Sequence, residues 1–507
     1  MRDEGAALTM AEGWAMATQQ VGVASCTQGP GLTRMFTSLI TATRSRTPIV
    51  VFTSKTSFNN RHAPQLLDQD KVVAATGAGY IEVLTPGFAE NAVREAFYHA
   101  RLESRPIVLC LPHDIQGKEC DSDGDEYEPS SAMFAGQQRI RPDIERRKVA
   151  VDIIAASRKP VVLLGRGAME PQATEAIDRL ATRIGAMIGT SLMAQGTLSE
   201  CQYHGGISGL FSTRTVMELY QEADCVIAFG AGLNTRTLEG GYLYPNAKFI
   251  HVDIKPHVMM GNDRGADCYL QGDAAVTARE IDDLLAKQGV SKQGYRTAEV
   301  RKVLKDAFRD PAEFDIEPGT MDPREAFRLI DERLPLEVGM VMGVGHSFTF
   351  AGMLLRKPRK YTYVNSFGCI GQALPAAIGV GVALGGKPLV HLEGDGGVMQ
   401  TIQELDTAAR LGLKLLFIIL NDAAYGAEYH KLKSMGRDSS LSQVRSPEFA
   451  AVARAFGCRG RMAATIDDVG AGIDEFLAGE GPMVLDVRLS RNAVSIPYRR
   501  LHYGEDV

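Results

Sequence analysis

The stretch His391-Leu392-Glu393-Gly394-Asp395-Gly396-Gly397 leaves an apolar run through glycines and sets a carboxylate at its end. About 27 residues later a second apolar run ends in Asn421-Asp422-Ala423-Ala424-Tyr425-Gly426. Adjacent strands of a parallel sheet would bring Asp395 and Asp422 to one edge. There two carboxylates and a backbone carbonyl suit Mg²⁺, with a phosphate completing the octahedron. Glycines after Asp395 let backbone N–H groups approach that phosphate at the start of the next helix. A single carboxylate at a strand end is more often a helix cap; the pair at this spacing favours the metal.

Such a site needs alternating strands and helices to position it. Small and apolar residues recur at helical spacing from Gly5 to Thr18, and Val23 to Thr27 reads as a short strand ending in Gly29-Pro30-Gly31. Further β-branched runs, Ile49 to Thr53 and Ile107 to Leu111, are separated by helical patterns such as Phe88 to Leu102. Strands alternating with helices imply parallel sheets. The same alternation returns at Val161 to Leu164, Cys225 to Phe229 and Phe249 to Val252, and again at Val338 to Val344, Leu389 to Leu392, Leu415 to Leu420 and Val484 to Val487. The expected organisation is α/β, with three doubly wound parallel-sheet domains at 1–118, 143–285 and 321–507 and linkers at 119–142 and 286–320. The last unit echoes the end of the first block, so the outer domains read as repeats of one fold with a cofactor between them. The acidic 119–131 segment has the wrong spacing for a calcium loop. In the middle block, Gly165-Arg166-Gly167 and Gly230-Ala231-Gly232 fit dinucleotide loops and plain tight turns equally well.

The run from Gly394 to Asp422 resembles the G-D-G…N-[ND] motif of thiamine diphosphate enzymes, and nearly the whole chain is similar to their acetolactate synthase group. The resemblance implies the pyrimidine-binding, middle and diphosphate-binding domains of that fold. It makes Asp395, Asp422 and the Ala424 carbonyl the Mg²⁺ ligands, and Gly394, Gly396, Gly397, Tyr425 and Gly426 part of the cofactor cradle. Arg2-Asp3-Glu4, followed by Gly5-Ala6-Ala7 and Gly13-Trp14-Ala15, is similar to the family's opening motif and makes Glu4 the catalytic glutamate, with Gly29 beside the cofactor. A carboxyl group on a ring nitrogen of the aminopyrimidine favours the tautomer that deprotonates the thiazolium C2; the thiazolium then takes up the electrons released on decarboxylation. Gly368-Cys369-Ile370-Gly371 before Leu374-Pro375-Ala376-Ala377 is similar to the family's wedge: Ile370 would bend the cofactor, and the Gly368 carbonyl would take its amino group. Val344, Gly345, His346 and Ser347 stand where the family holds the diphosphate, although Gly343 replaces a common aspartate. Gln65 aligns with a catalytic glutamine.

Departures concern the substrate. Pro64 and Leu66 flank Gln65 in place of the usual residues, Ala78 stands where lysine is common, and the segment after the metal loop lacks the group's tryptophan, since the only one is Trp14. Glu428 and His430 in that segment are equally an acid–base pair or a solvated helix face. The expected function is carboligation of 2-oxo acids. Decarboxylation or aldehyde lysis of a larger 2-oxo acid, and a non-catalytic regulatory relative, are the alternatives. FAD is a further cofactor that the resemblance allows, with Arg236 in the corresponding region.

The bulk numbers agree with this class. A chain of 507 residues, 45% apolar, can bury several cores. A net charge of −6 and scattered Lys and Arg exclude a nucleic-acid footprint. Eight cysteines without a Cys-x-x-Cys pair fit reduced thiols, and neither a leader nor a membrane span is read, so a cytoplasmic protein is expected. The abrupt helix after Met1 reads as an N-terminus cut short. A homodimer or homotetramer with sites between subunits is implied by the resemblance.

Overall fold

The computed structural model describes residues 1–119, 127–134, 139–364 and 366–505. The acidic residues 121–126 lie outside that set. Among the described residues the strands form three parallel sheets, so the chain is three parallel-sheet α/β domains. The first sheet contains β1 (Gly22–Ser25), β2 (Ile49–Lys55), β3 (Gly79–Glu82) and β4 (Pro106–Pro112), in the order β1-β2-β4-β3. The second contains β5 (Pro160–Leu164), β6 (Met187–Thr190), β7 (His204–Ile207), β8 (Cys225–Phe229), β9 (Lys248–Asp253) and β10 (Cys268–Gln271), ordered β10-β9-β8-β5-β6-β7. The third contains β11 (Gly339–Met342), β12 (Tyr361–Tyr363), β13 (Leu389–Gly394), β14 (Leu415–Asn421), β15 (Arg459–Ala463) and β16 (Met483–Arg488), ordered β12-β11-β13-β14-β16-β15.

Helices cover both faces of a central parallel strand, so it must be apolar throughout and not alternating. Accordingly every residue of β14 is buried, as are Leu389 to Glu393 of β13. The polar stretch after Gln288 carries the helix Ala298–Asp306 and buries Tyr295 and Leu304 against the middle sheet.

The first and third domains meet through α1 (Glu4–Thr18), α2 (Phe36–Ser45) and the later helix α4 (Ala373–Ala383). α4 is built from small and apolar residues throughout and α1 from the same apart from Glu4, Thr9, Glu12 and Thr18, the composition of helices that are largely buried. Their backbones touch: a Cβ on Gly13 would lie 2.2 Å from the Ala376 carbonyl oxygen, and one on Gly379 1.9 Å from that of Met10. Glycine is required at both crossings. Beside them Thr41 donates to the Gln372 side chain at 2.9 Å and Ser45 to Ser366 at 2.9 Å, while Arg44 lies over the Phe367 ring.

Candidate cofactor site

In the third sheet the chain passes from β11 outward to β12 and then returns to β13 on the other side of β11. Such a reversal leaves a crevice at the carboxyl ends of the two diverging strands. Three loops surround it. Residues 343–345 lead from β11 into α3 (His346–Leu354), Gly394 leads from β13 into α5 (Asp395–Thr401), and residues 422–425 lead from β14 into α6 (Gly426–Ser434). Register sets Gly394 beside Leu420, so Asp395 and Asp422 leave adjacent strand ends.

Both carboxylates are buried. The Ser446 hydroxyl donates to Asp395, and the Ala424 N–H donates to Asp422 Oδ1 at 3.2 Å. Burial pushes the Asp395 carboxyl up to about 6, and burial together with the Asp395 charge holds Asp422 well above the usual carboxylate range. Two buried carboxylates at adjacent strand ends, both held above the usual range, are a ready site for a divalent cation. Among the described residues no group of three or more His, Cys, Asp or Glu side chains forms a metal cage. The rest of the coordination shell would therefore come from backbone, water and phosphate oxygens. The loop that presents Asp422 is constrained: Ala423 has φ +53, and bridging by Ala424 to Gln443 pins it to the 440–446 segment.

Gly345 (φ +115) and Gly368 (φ +76) both adopt backbone conformations that favour glycine, and a Cβ at either would meet open space, so both border unfilled room. Gly396 is covered by the Tyr425 ring, which a Cβ would approach to 2.7 Å. The loop carrying Ile370 is tied down by the Gly371 N–H, which donates to Glu393 Oε1 at 2.9 Å, and by the Thr401 hydroxyl, which donates to the Gly371 carbonyl at 3.0 Å. His346 opens α3 with its ring beside the start of α6, where a Cβ on Gly426 would lie 3.5 Å from Nδ1. Nε2 accepts from the Ser495 N–H at 3.2 Å, and the ring stands 4.2 Å from that of His430. Glu428 and His430 are separated: Glu428 is exposed, whereas His430 is fully buried with Nδ1 3.2 Å from the Tyr503 hydroxyl.

In the first domain Glu4 begins α1 beside Arg34, whose Nε lies 3.2 Å from Glu4 Oε2. Gly31 adjoins the carboxylate, where a Cβ would lie 3.6 Å from Glu4 Oε1 and 2.8 Å from Thr27 Cγ2. Gly29 (φ +58) is needed both for its conformation and because a Cβ would lie 2.6 Å from the Gln65 carbonyl oxygen. Gln65 is exposed and accepts from Gln28 Nε2 at 2.9 Å. Among the described residues no hydrogen bond or ion pair joins Glu4 to Asp395, Asp422 or Ile370. Arg34, the partner of Glu4, precedes α2, Ser366 and Phe367 touch Ser45 and Arg44 at the other end of that helix, and Gln372, two residues after Ile370, bonds Thr41 and Ser38 between them, with the Ser38 hydroxyl donating to the Gly5 carbonyl at 3.0 Å.

Sequence reasoning missed Ser446, Glu393 and Gln28. Only their position in space marks them.

Three parallel α/β domains, with a carboxylate pair and glycine turns gathered at one switch point, define a cofactor-dependent α/β enzyme. Sequence comparisons narrow the class. The C-terminal thiamine pyrophosphate binding domain of thiamine pyrophosphate enzymes matches residues 343–487, their central domain matches 148–281, and their N-terminal thiamine pyrophosphate binding domain matches 1–73. The chain is 27% identical over 515 residues to an acetolactate synthase of Mycobacterium bovis, covering 97% of this chain and 82% of that one. It is 28% identical over 478 residues to the acetolactate synthase large subunit of Corynebacterium glutamicum, covering 90% and 75%. The large subunit of Haemophilus influenzae is 26% identical over 500 residues, with 96% and 86% covered. The chain belongs to the thiamine pyrophosphate enzyme family.

Proposed function

We propose that this enzyme joins 2-oxo acids through thiamine diphosphate and Mg²⁺, as an acetolactate synthase does. The observation that carries the reading is the buried Asp395–Asp422 pair at the switch point, in a chain that aligns with acetolactate synthases along 97% of its length. Asp395, Asp422 and the Ala424 carbonyl would hold Mg²⁺. The amides of Gly396, Gly397, Gly426, Val344, Gly345 and His346, with the Ser347 hydroxyl, would receive the diphosphate, whereas the Tyr425 amide already donates to the Ser442 carbonyl at 2.8 Å. Ile370 would pack under the bent cofactor, with Gly394 and the Gly368 carbonyl beside it. When bound, thiamine diphosphate supplies an electron sink for the carbon released by decarboxylation. Glu4 would hold the proton at the pyrimidine ring nitrogen, and Gln65 with Gln28 would face the incoming substrate. No hydrogen bond or ion pair among the described residues joins Glu4 to Asp395, Asp422 or Ile370 within one chain, and the complete site would take Glu4 from one subunit and the metal loops from a second, in a homodimer or a pair of homodimers.

FAD is not assigned. A Cβ on Gly165 would lie 2.2 Å from the Gly230 carbonyl oxygen, and one on Gly167 3.0 Å from Gly230 Cα. Backbone packing between the two turns therefore accounts for Gly165, Gly167 and Gly230 without a ligand, while Gly232 has open space beside it.

The test is titration of the protein with thiamine diphosphate and Mg²⁺, repeated for Glu4→Gln and Asp395→Ala, with CO₂ release and product analysis on a panel of 2-oxo acids. Expected are metal-dependent binding lost in Asp395→Ala, turnover lost in Glu4→Gln, and an acyloin product. Free aldehyde as the sole product would replace carboligation by decarboxylation; absence of binding would leave a non-catalytic relative.

A further inference from the structure

Glu393 ends β13 inside the protein, 2% exposed, two residues before Asp395. A buried carboxylate costs stability unless its oxygens are engaged. Here Oε1 accepts the Gly371 N–H at 2.9 Å and Oε2 lies 3.2 Å from His391 Nε2. Glu393 also fills the space that two glycines leave. A Cβ on Gly343, just past the end of β11, would lie 2.8 Å from Glu393 Cγ, and one on Gly397, in the first turn of α5, 2.7 Å from Glu393 Oε1. One side chain therefore touches the loop after β11, the loop carrying Ile370 and the helix that begins with Asp395. These are the surroundings of the crevice, and they come from segments 343, 371 and 397 that are otherwise far apart in sequence.

We infer that Glu393 is a positioning residue that, from the floor of the switch-point crevice, holds the Ile370 loop through the Gly371 amide and sets the spacing of the three loops that receive the cofactor. The inference rests on the thiamine diphosphate reading above, but its spacing half is testable without cofactor. The neighbouring strand end at position 343 points at the same volume, so a carboxylate there competes with Glu393 when Glu393 is present and replaces it when it is not.

Two experiments follow. The first compares Glu393→Met, which keeps the bulk but cannot accept a hydrogen bond, with Glu393→Gln, which can. Leaving a buried amide unpaired costs enough to weaken binding about tenfold, so Glu393→Met binds thiamine diphosphate with Mg²⁺ about tenfold more weakly, while Glu393→Gln stays within about threefold of wild type. Wild-type affinity in Glu393→Met, or equal loss in both variants, overturns the role of the acceptor. The second measures thermal unfolding of the cofactor-free protein in a double-mutant cycle. Gly343→Asp lowers the melting temperature of wild type and raises that of Glu393→Ala; the same sign in both backgrounds overturns the shared-volume argument. Failure of wild type itself to bind thiamine diphosphate would sink the functional reading while leaving the second experiment able to decide.

Discussion

If Asp395 and Asp422 hold Mg²⁺ as proposed, metal binding is a proton exchange. In the metal-free protein their carboxyls are held above the usual range, Asp395 at about 6, so below that pH a cation must displace protons. Mg²⁺-supported binding of thiamine diphosphate should weaken by at least about tenfold per pH unit below 6. Titrations at several pH values, in buffers of different ionisation enthalpy, would show this as proton release; pH-independent affinity would count against the pair as ligands. His346 and His430 act on stability with a definite sign. Burial lowers both, His430 to about 4 with help from Lys433 and His502, whereas the unfolded chain titrates near 6.5. Between those values the unfolded state binds more protons, so stability is fully present above pH 6.5 and declines as pH falls toward 4. Replacing His430 with Phe should flatten that decline in melting temperature. The two aspartates were legible in the sequence because carboxylates after glycine-flanked strands are rare in pairs. The part played by Ser446 was not, because it reaches Asp395 across 51 residues from a loop without periodicity.

Elements show the same division. β13, β14 and β16 are buried on both faces and announce themselves as apolar runs. The strands that sequence reading left out are β3, β6, β7, β10, β12 and β15, and all but β6 are edge strands. An edge strand pairs on one side only and is short here, so its composition carries little signal: β15 reads Arg-Gly-Arg-Met-Ala, and β7 His-Gly-Gly-Ile. The crossing of α1 and α4 was equally hidden, since small residues in two helices do not say which pair will meet. Its consequence is testable. Gly379→Val would drive a side chain into the Met10 carbonyl and separate the helices, at a cost of about 3 kcal/mol or more. It should lower the melting temperature and, by displacing the start of α1, weaken cofactor binding. Gly470→Ala, in the helix Ile466–Ala478 where the nearest atom to a new Cβ is Leu329 Cδ2 at 3.7 Å, should leave both unchanged or slightly improved.

At the scale of the whole molecule, which chain's Glu4 meets the proposed metal loops decides how many chains make a site. Each chain carries one Glu4 end and one Asp395 end, and if a site takes one of each from different subunits, a dimer holds two sites that share no chemistry-bearing end. Glu4→Gln and Asp395→Ala are each expected to be inactive alone. In a mixed dimer, however, one site combines both lesions and the other combines the intact Asp395 of the first chain with the intact Glu4 of the second. Random pairing of equal amounts makes half the dimers mixed, so about a quarter of all sites are whole. Co-expression of the two variants should therefore restore about a quarter of wild-type turnover, with cofactor affinity at the surviving sites unchanged. If instead Glu4 and Asp395 of the same chain met, every site would carry a lesion in any mixture and no turnover would return. The ratio thus separates an intersubunit site from an intrachain one.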